Sequence, residues 1–163
     1  MKETGMVRRL DDLGRLVIPK EIRRMYKMKE GDSIEIYIDN GKICIRKYDE
    51  ISPYYEQIVN MCNLLKEKLQ TMVFFNSEEY LKKNQLLIEE KLIDKSRVHS
   101  ISYFDNVKIY QDSEERFSGC IVPSIAYGNY YGSFIVLFSS GMMNEEKLTP
   151  VILFSKLLAA LQH

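Results

Sequence analysis

VRRLDDLGRLVIPKEIRR, residues 7–24, gathers five arginines around one acidic turn and a short apolar run. Arg8 and Arg9 open the stretch, Arg23 and Arg24 close it, and Arg15 follows its only glycine, Gly14. Residues 6–10 and 15–18 read as two short strands joined by Asp11-Asp12-Leu13-Gly14, since Asp and Gly tolerate tight backbone angles. Pro19 reads as the first residue of a helix, where its missing N–H costs nothing. On that helix Ile22, Met25 and Tyr26 face inward. Lys20, Arg23, Arg24 and Lys27 recur at three or four residues and line the outer side. Neighbours on a strand point to opposite faces, so Arg8 and Arg9 flank the ribbon from both sides, and Arg15 emerges past the turn.

The next stretch, DSIEIYIDNGKICIRKY, is the clearest hairpin in the chain. Ile34, Ile36 and Ile38 alternate with polar or amphipathic residues, Asn40-Gly41 is a type I′ turn signal, and Ile43 and Ile45 resume the alternation. This unit ends near Glu50. About 50 residues bury too little surface to fold comfortably alone without a metal, a disulfide or a partner chain. The sequence offers neither of the first two. The expectation is an obligate dimer whose copies share one core.

The whole chain has 163 residues and a formal net charge of zero. That balance hides an asymmetry. Residues 1–29 hold nine Lys/Arg against four Asp/Glu, a balance of +5, so the remainder carries −5. A basic end on an acidic body points to an anionic partner; the plainer reading of such a cluster is a solvated charged face. No apolar run reaches the ~20 residues that cross a bilayer. The start of the chain lacks the apolar core of a secretion signal. Cys44, Cys62 and Cys120 are far apart and odd in number, which reads as reduced thiols in a cytoplasmic protein.

Residues 51–163 read as a second, α+β domain. Ser52-Pro53 opens a helix running to about Gln70, the linker between the two parts. Tyr55, Ile58, Cys62, Leu65, Leu69 and Met72 step at coiled-coil spacing. A zipper and a helix packed on its own domain fit that spacing equally. Residues 72–75 and 107–110 read as strands, and Asn84 to about Asp94 as a helix with Leu87, Ile88 and Leu92 inward. SGCIVPSIAYGNYYGSFIVLF is a long hairpin turning at Gly128-Asn129, with Pro123 marking an edge or a bulge. The last helix starts at Asn144 or at Thr149, with Pro150 leaving the choice open. Its wide apolar face asks for cover on two sides, by the sheet and by another chain.

Enzyme constellations are missing. There is no Gly-rich phosphate loop, no HExxH, no GxSxG and no Cys/His pair at metal or catalytic spacing. No catalytic residue, metal or cofactor is therefore expected. The arginines carry the functional signal instead. Their planar forks bind phosphate bidentately and read guanine edges. Two copies would set ten arginines on one assembly, a surface suited to a duplex. For Arg9 and Arg15 the alternative is a salt bridge to Asp11 or Asp12.

TGMVRRLDDLGRLVIPKEIRRMYKMKEGDSIEIYIDNGKICIRKY, residues 4–48, resembles the DNA-binding domain of the AbrB family of bacterial transition-state regulators. The resemblance implies a swapped-hairpin dimer for residues 1–50, a β-barrel-like body of interleaved hairpins with one short helix. It places DNA contacts on Arg8, Arg9, Arg15, Arg23 and Arg24, and Lys20 and Lys27 join them on spacing. GCIVPSIAYGNYYGSFIVLF with the terminal helix resembles the closing strands and helix of a GAF-type sensor domain. That implies a regulatory and oligomerising role for residues 51–163, an antiparallel sheet with flanking helices, and an unknown small-molecule effector. Phe74, Phe75, Tyr103, Phe104 and Tyr127 are the candidates for lining its pocket, plain core being the other reading. The expected protein is a nucleoid-associated regulator of sporulation genes, partnered by double-stranded DNA and by its own copies as dimer or tetramer. Two rivals remain at this point: an AbrB-type antitoxin, and a sensor whose basic end grips a nucleotide or another anion.

Overall fold

The computed structural model describes residues 5–138 and 145–161. The chain divides into two compact units, Met1–Asp49 and Glu50–His163.

In the first unit, helix α1 spans Lys20–Met25, and strands β1 (Ile34–Asp39) and β2 (Lys42–Lys47) form an antiparallel hairpin. Asn40 (φ 47°) and Gly41 (φ 73°) both adopt left-handed backbone, the type I′ turn that Asn-Gly predicts. The register sets Ile36 opposite Ile45 and Ile38 opposite Ile43. With Ile34, these isoleucines share one face of the ribbon. That face is bare: Ile36 is 67%, Ile38 79% and Ile43 75% exposed. On the other face Arg46 Nε donates to Glu35, and its guanidinium lies 5.2 Å from the Tyr37 ring centroid. Among the described residues of this unit only Met28 is buried.

Two expectations fail in this unit. Residues 6–10 and 15–18 are not strands. The turn closes through Asp11 N–H to Arg15 O (3.1 Å) and Gly14 N–H to Asp11 O (2.9 Å), but its arms stay irregular. A short two-stranded ribbon without a covered face is marginal in water, and no third strand among the described residues of this unit supports it. Met25 and Tyr26 are exposed and only Ile22 is half-buried, because the single chain supplies no core for them to face.

The second unit is an α+β domain. Strands β3 (Val73–Asn76), β4 (Ser102–Lys108), β5 (Arg116–Ala126) and β6 (Asn129–Phe138) form an antiparallel sheet in the order β3-β6-β5-β4. Helix α5 (Glu145–Ala160) packs on β5 and β6, where Ser124 Oγ donates to Ser155 O at 2.7 Å. Helix α2 (Tyr55–Leu69) packs on β3 and α5. Its seam residues Ile58, Cys62 and Leu65 are buried within this unit, so the coiled-coil spacing is taken up by the domain's own core. Ser52 opens a 3-10 turn, Ser52–Tyr54, ahead of α2 and makes no side-chain cap.

Two short helices follow β3, the first of them packed on α2 through Tyr55 and Tyr80. The single helix expected over 84–94 is replaced by α3 (Glu78–Lys83) and α4 (Glu90–Lys95), separated by an extended segment. Ser77 caps α3 by accepting the Tyr80 N–H on its hydroxyl, and Asn84 ends it. Gln85 then turns left-handed, and Ile88 bridges to Tyr110. Leu87 is consequently exposed. Buried Ser96, at the end of α4, is tied to the sheet by the Ser133 hydroxyl (2.7 Å), the Tyr130 hydroxyl (3.1 Å) and the Asn76 amide.

The long hairpin turns one residue early, at Tyr127-Gly128, both left-handed. Pro123 lies past the last β4–β5 pair, Ser102 with Ile121, so it occupies a local edge although β5 is an inner strand. Pro150 is inside α5, the earlier-start alternative; Asn144, a candidate first residue, lies outside the described residues. Among the described residues no helix is long and apolar enough to cross a membrane.

Two glycines leave room for aromatic rings on the sheet. A Cβ on Gly119 would meet the Phe104 ring at 2.5 Å and Val136 O at 2.3 Å. Gly132 has φ +126°, and a Cβ there would meet the Phe75 ring at 2.3 Å. Gly132→Ala is expected to destabilise the protein by about 2–4 kcal/mol through backbone strain and a displaced ring. Urea unfolding followed by tyrosine fluorescence checks it, as a lowered midpoint at unchanged slope.

Candidate nucleic-acid interface

The first unit carries every basic residue singled out from the sequence. Helix α1 begins at Lys20, one residue later than expected, with Pro19 as its N-cap, the Pro19 carbonyl accepting the Arg23 N–H at 3.0 Å. The helix ends in a full Schellman motif. Met28 N–H donates to Arg23 O (2.8 Å) and Lys27 N–H to Arg24 O (3.2 Å), with Lys27 at φ 51°. Lys27 therefore sits beyond the last helical turn rather than on it. It holds a conformation that glycine adopts freely and lysine adopts only under strain. Arg23 and Arg24 occupy the last turn, where cations complement the helix dipole.

Arg8, Arg9, Arg15, Lys20, Arg23, Arg24 and Lys27 are all exposed. Arg8 donates to the neighbouring Val7 carbonyl at 3.1 Å. Arg9, Lys20, Arg23 and Arg24 form no ion pair among the described residues. Arg15 differs. Its Nε donates to Asp11 Oδ2 at 2.6 Å, the salt bridge that was the alternative for this residue. Asp11 Oδ1 accepts the N–H groups of Leu13 (3.0 Å) and Arg15 (2.8 Å). Sequence reading missed this role, although an Asp at the head of a turn is the residue that captures backbone N–H groups further on. The Arg15 N–H and then the Arg15 guanidinium hold the Asp11 carboxyl below the usual carboxylate range. The basic residues of β2 are engaged as well: Arg46 by Glu35, and Lys47 by Asp32 at 3.0 Å.

The aromatics expected to line a ligand pocket are dispersed. Phe74 and Phe75 are fully buried on opposite faces of β3, and Phe75 packs edge-on against Phe134 at 4.9 Å. Tyr103 and Tyr127 are exposed, and Phe104 is half-buried over Gly119. An open groove of about 250 Å³ lies elsewhere, lined by His99, Ile101, Pro123, Ile125, Ile152 and Lys156 among others. Burial pushes the Cys62 and Cys120 thiols up to about 12, so both are uncharged at neutral pH and poor nucleophiles. Among the described residues no three His, Cys, Asp or Glu side chains cluster to hold a metal.

Comparison with known proteins bears on this arrangement. Stage V sporulation protein T of Bacillus subtilis (strain 168) is 31% identical over 159 residues, spanning 89% of this chain and 89% of that one. The chain belongs to the family of stage V sporulation protein T. The transition state regulatory protein AbrB of the same organism is 54% identical over 48 residues, 29% of this chain and 50% of that protein. Residues 7–52 match the family described as antidote-toxin recognition MazE, bacterial antitoxin. The solution structure of the N-domain of the transcription factor abrB is 54% identical and covers 29% of this chain and 92% of that one, at a TM-score of 0.28. A score that low adds nothing to the fold described above. The family is one of transition-state and sporulation regulators, and none of these relatives carries an enzyme's name.

Two outcomes follow from this geometry. Lys27→Gly is expected to raise the melting temperature, relieving roughly 1 kcal/mol of backbone strain, as differential scanning calorimetry would register. The Asp11 interactions stabilise the folded state fully above the ordinary carboxylate range and fade as pH falls through the lowered Asp11 pKa. A carbon-13 titration of the Asp11 carboxyl should therefore show a midpoint below the ordinary aspartate value.

Proposed function

We propose that this protein is a transcription regulator that binds duplex DNA as a homodimer through the first unit. The observation that carries the reading is a pairing within that unit. An uncovered isoleucine ribbon accompanies exposed Arg9, Arg23 and Arg24, which have no acidic partner among the described residues. Covering the ribbon with a second copy's ribbon would gain about 1.5–3 kcal/mol for each isoleucine buried. The same doubling would bring two sets of Arg8, Arg9, Arg15, Arg23 and Arg24, with Lys20 and Lys27, onto one body. Phosphate contacts would supply most of the affinity, and groove shape much of the preference.

The unit Glu50–His163 serves in this reading as a GAF-like oligomerisation module. Leu153, Leu157 and Leu161 leave an exposed apolar stripe on α5 and the residue after it, a face on which dimers can pair into tetramers. A small-molecule effector would have to use the groove beside Pro123, since the aromatics do not converge. An antitoxin is the second reading, favoured by the MazE match over residues 7–52. The buried core of the second unit argues against a chain that wraps a toxin in extended form. Capture of a co-expressed small toxin would revive it.

Fluorescence anisotropy with a labelled duplex tests the DNA reading. Log affinity should fall steeply with log salt, and Arg8→Ala or Arg23→Ala should flatten the slope by ~1 for each phosphate no longer neutralised. Affinity independent of salt, or unchanged in both variants, contradicts it. Free nucleotides that compete as well as duplex would favour the anion sensor.

A further inference from the structure

Five hydrogen bonds close the turn between the arginine pair and α1, and Asp11 takes part in all of them. Its backbone N–H donates to Arg15 O, and its carbonyl accepts from Gly14. Its Oδ1 accepts from the Leu13 and Arg15 N–H groups. Its Oδ2 accepts from Arg15 Nε at 2.6 Å. The turn is thereby fixed by local bonds alone, inside a unit that buries little. The last bond has a further consequence. It engages Arg15 by Nε and leaves both Nη groups without a partner among the described residues. The outer edge of the guanidinium is the edge that takes a phosphate through two parallel bonds.

We propose that Asp11 is a positioning residue for DNA recognition: its carboxylate holds the Arg15 guanidinium by Nε so that the Nη edge meets the phosphate already oriented. The inference rests on the DNA-binding reading above. A carboxylate near a phosphate backbone would otherwise only repel it, so the sign of its effect decides the matter. Asp12, its neighbour, has the same charge but forms no hydrogen bond or ion pair among the described residues. It serves as the charge control.

The test is a double-mutant cycle in the full-length protein, read by anisotropy with a labelled duplex. In Asp11→Asn the amide oxygen still accepts the two backbone N–H groups, but no carboxylate oxygen faces Arg15 Nε. D11N should weaken binding about fivefold or more and flatten the salt slope as R15A does. D12N, which removes the same charge, should bind as tightly as the original or more tightly. D11N should cost nothing further in the R15A background. In the free protein, the Arg15 Hε resonance should exchange faster in D11N than in the original. The proposal is overturned if D11N binds like D12N, or if D11N loses as much affinity with Arg15 absent as with it present. R15A weakening binding while D11N does not would overturn the positioning role alone. A native chain that fails to bind duplex would remove the DNA reading and this inference together.

Discussion

An isoleucine face with nothing over it governs the rest of this structure. Ile34, Ile36, Ile38, Ile43 and Ile45 share one side of the β1–β2 ribbon because the Asn40-Gly41 turn fixes the register and alternation does the rest. A two-stranded ribbon with no neighbour to pack on is marginal in water. Here the described residues of the unit bury only Met28. Surface ion pairs such as Arg46 with Glu35 contribute about 0–1 kcal/mol and do not close that gap. Apolar cover does, and a second ribbon of the same sequence is the complementary surface nearest to hand, since a two-fold contact sets the same patch against itself.

In the proposed dimer the basic residues depend on that cover. Arginines on a loose chain lose conformational entropy when they meet an anion, whereas arginines on a rigid body lose far less. The unit prepares part of the platform locally, through the Asp11 turn and the Schellman close of α1. Residues 6–10 and 15–18, which the proposed dimer would complete, form no strand among the described residues. The second unit works on the opposite principle. It has its own core, from Ile58 and Leu65 on α2 through Phe74, Phe134 and Ile135 in the sheet to Leu158 on α5. Its buried Ser96, Ser124, Ser133 and Ser155 are all hydrogen-bonded, and the knot around Ser96 fixes α4 to the sheet.

What the sequence disclosed follows the range of the forces involved. The β1–β2 hairpin, the α2 helix and the basic residues of the first unit were legible because turn chemistry and periodicity are local. The Asp11–Arg15 pair was legible only as an alternative, since spacing permits the contact without choosing it. The helix expected over 84–94 failed because Gln85 goes left-handed and Ile88 is drawn to Tyr110, a distant partner in the chain. The early strands failed because nothing among the described residues of the first unit pairs with them. The aromatic pocket failed on simple alternation: Phe74 and Phe75 are neighbours on a strand and must part to opposite faces.

Sharing of a core between two chains is the claim on which the account stands. Isotope-filtered NOE spectroscopy on a dimer mixed from labelled and unlabelled chains tests it most directly. The account predicts intermolecular contacts from the methyl groups of Ile36, Ile38 and Ile43 to the partner chain. Contacts confined to a single chain, with those methyls still facing solvent in a folded first unit, would contradict it.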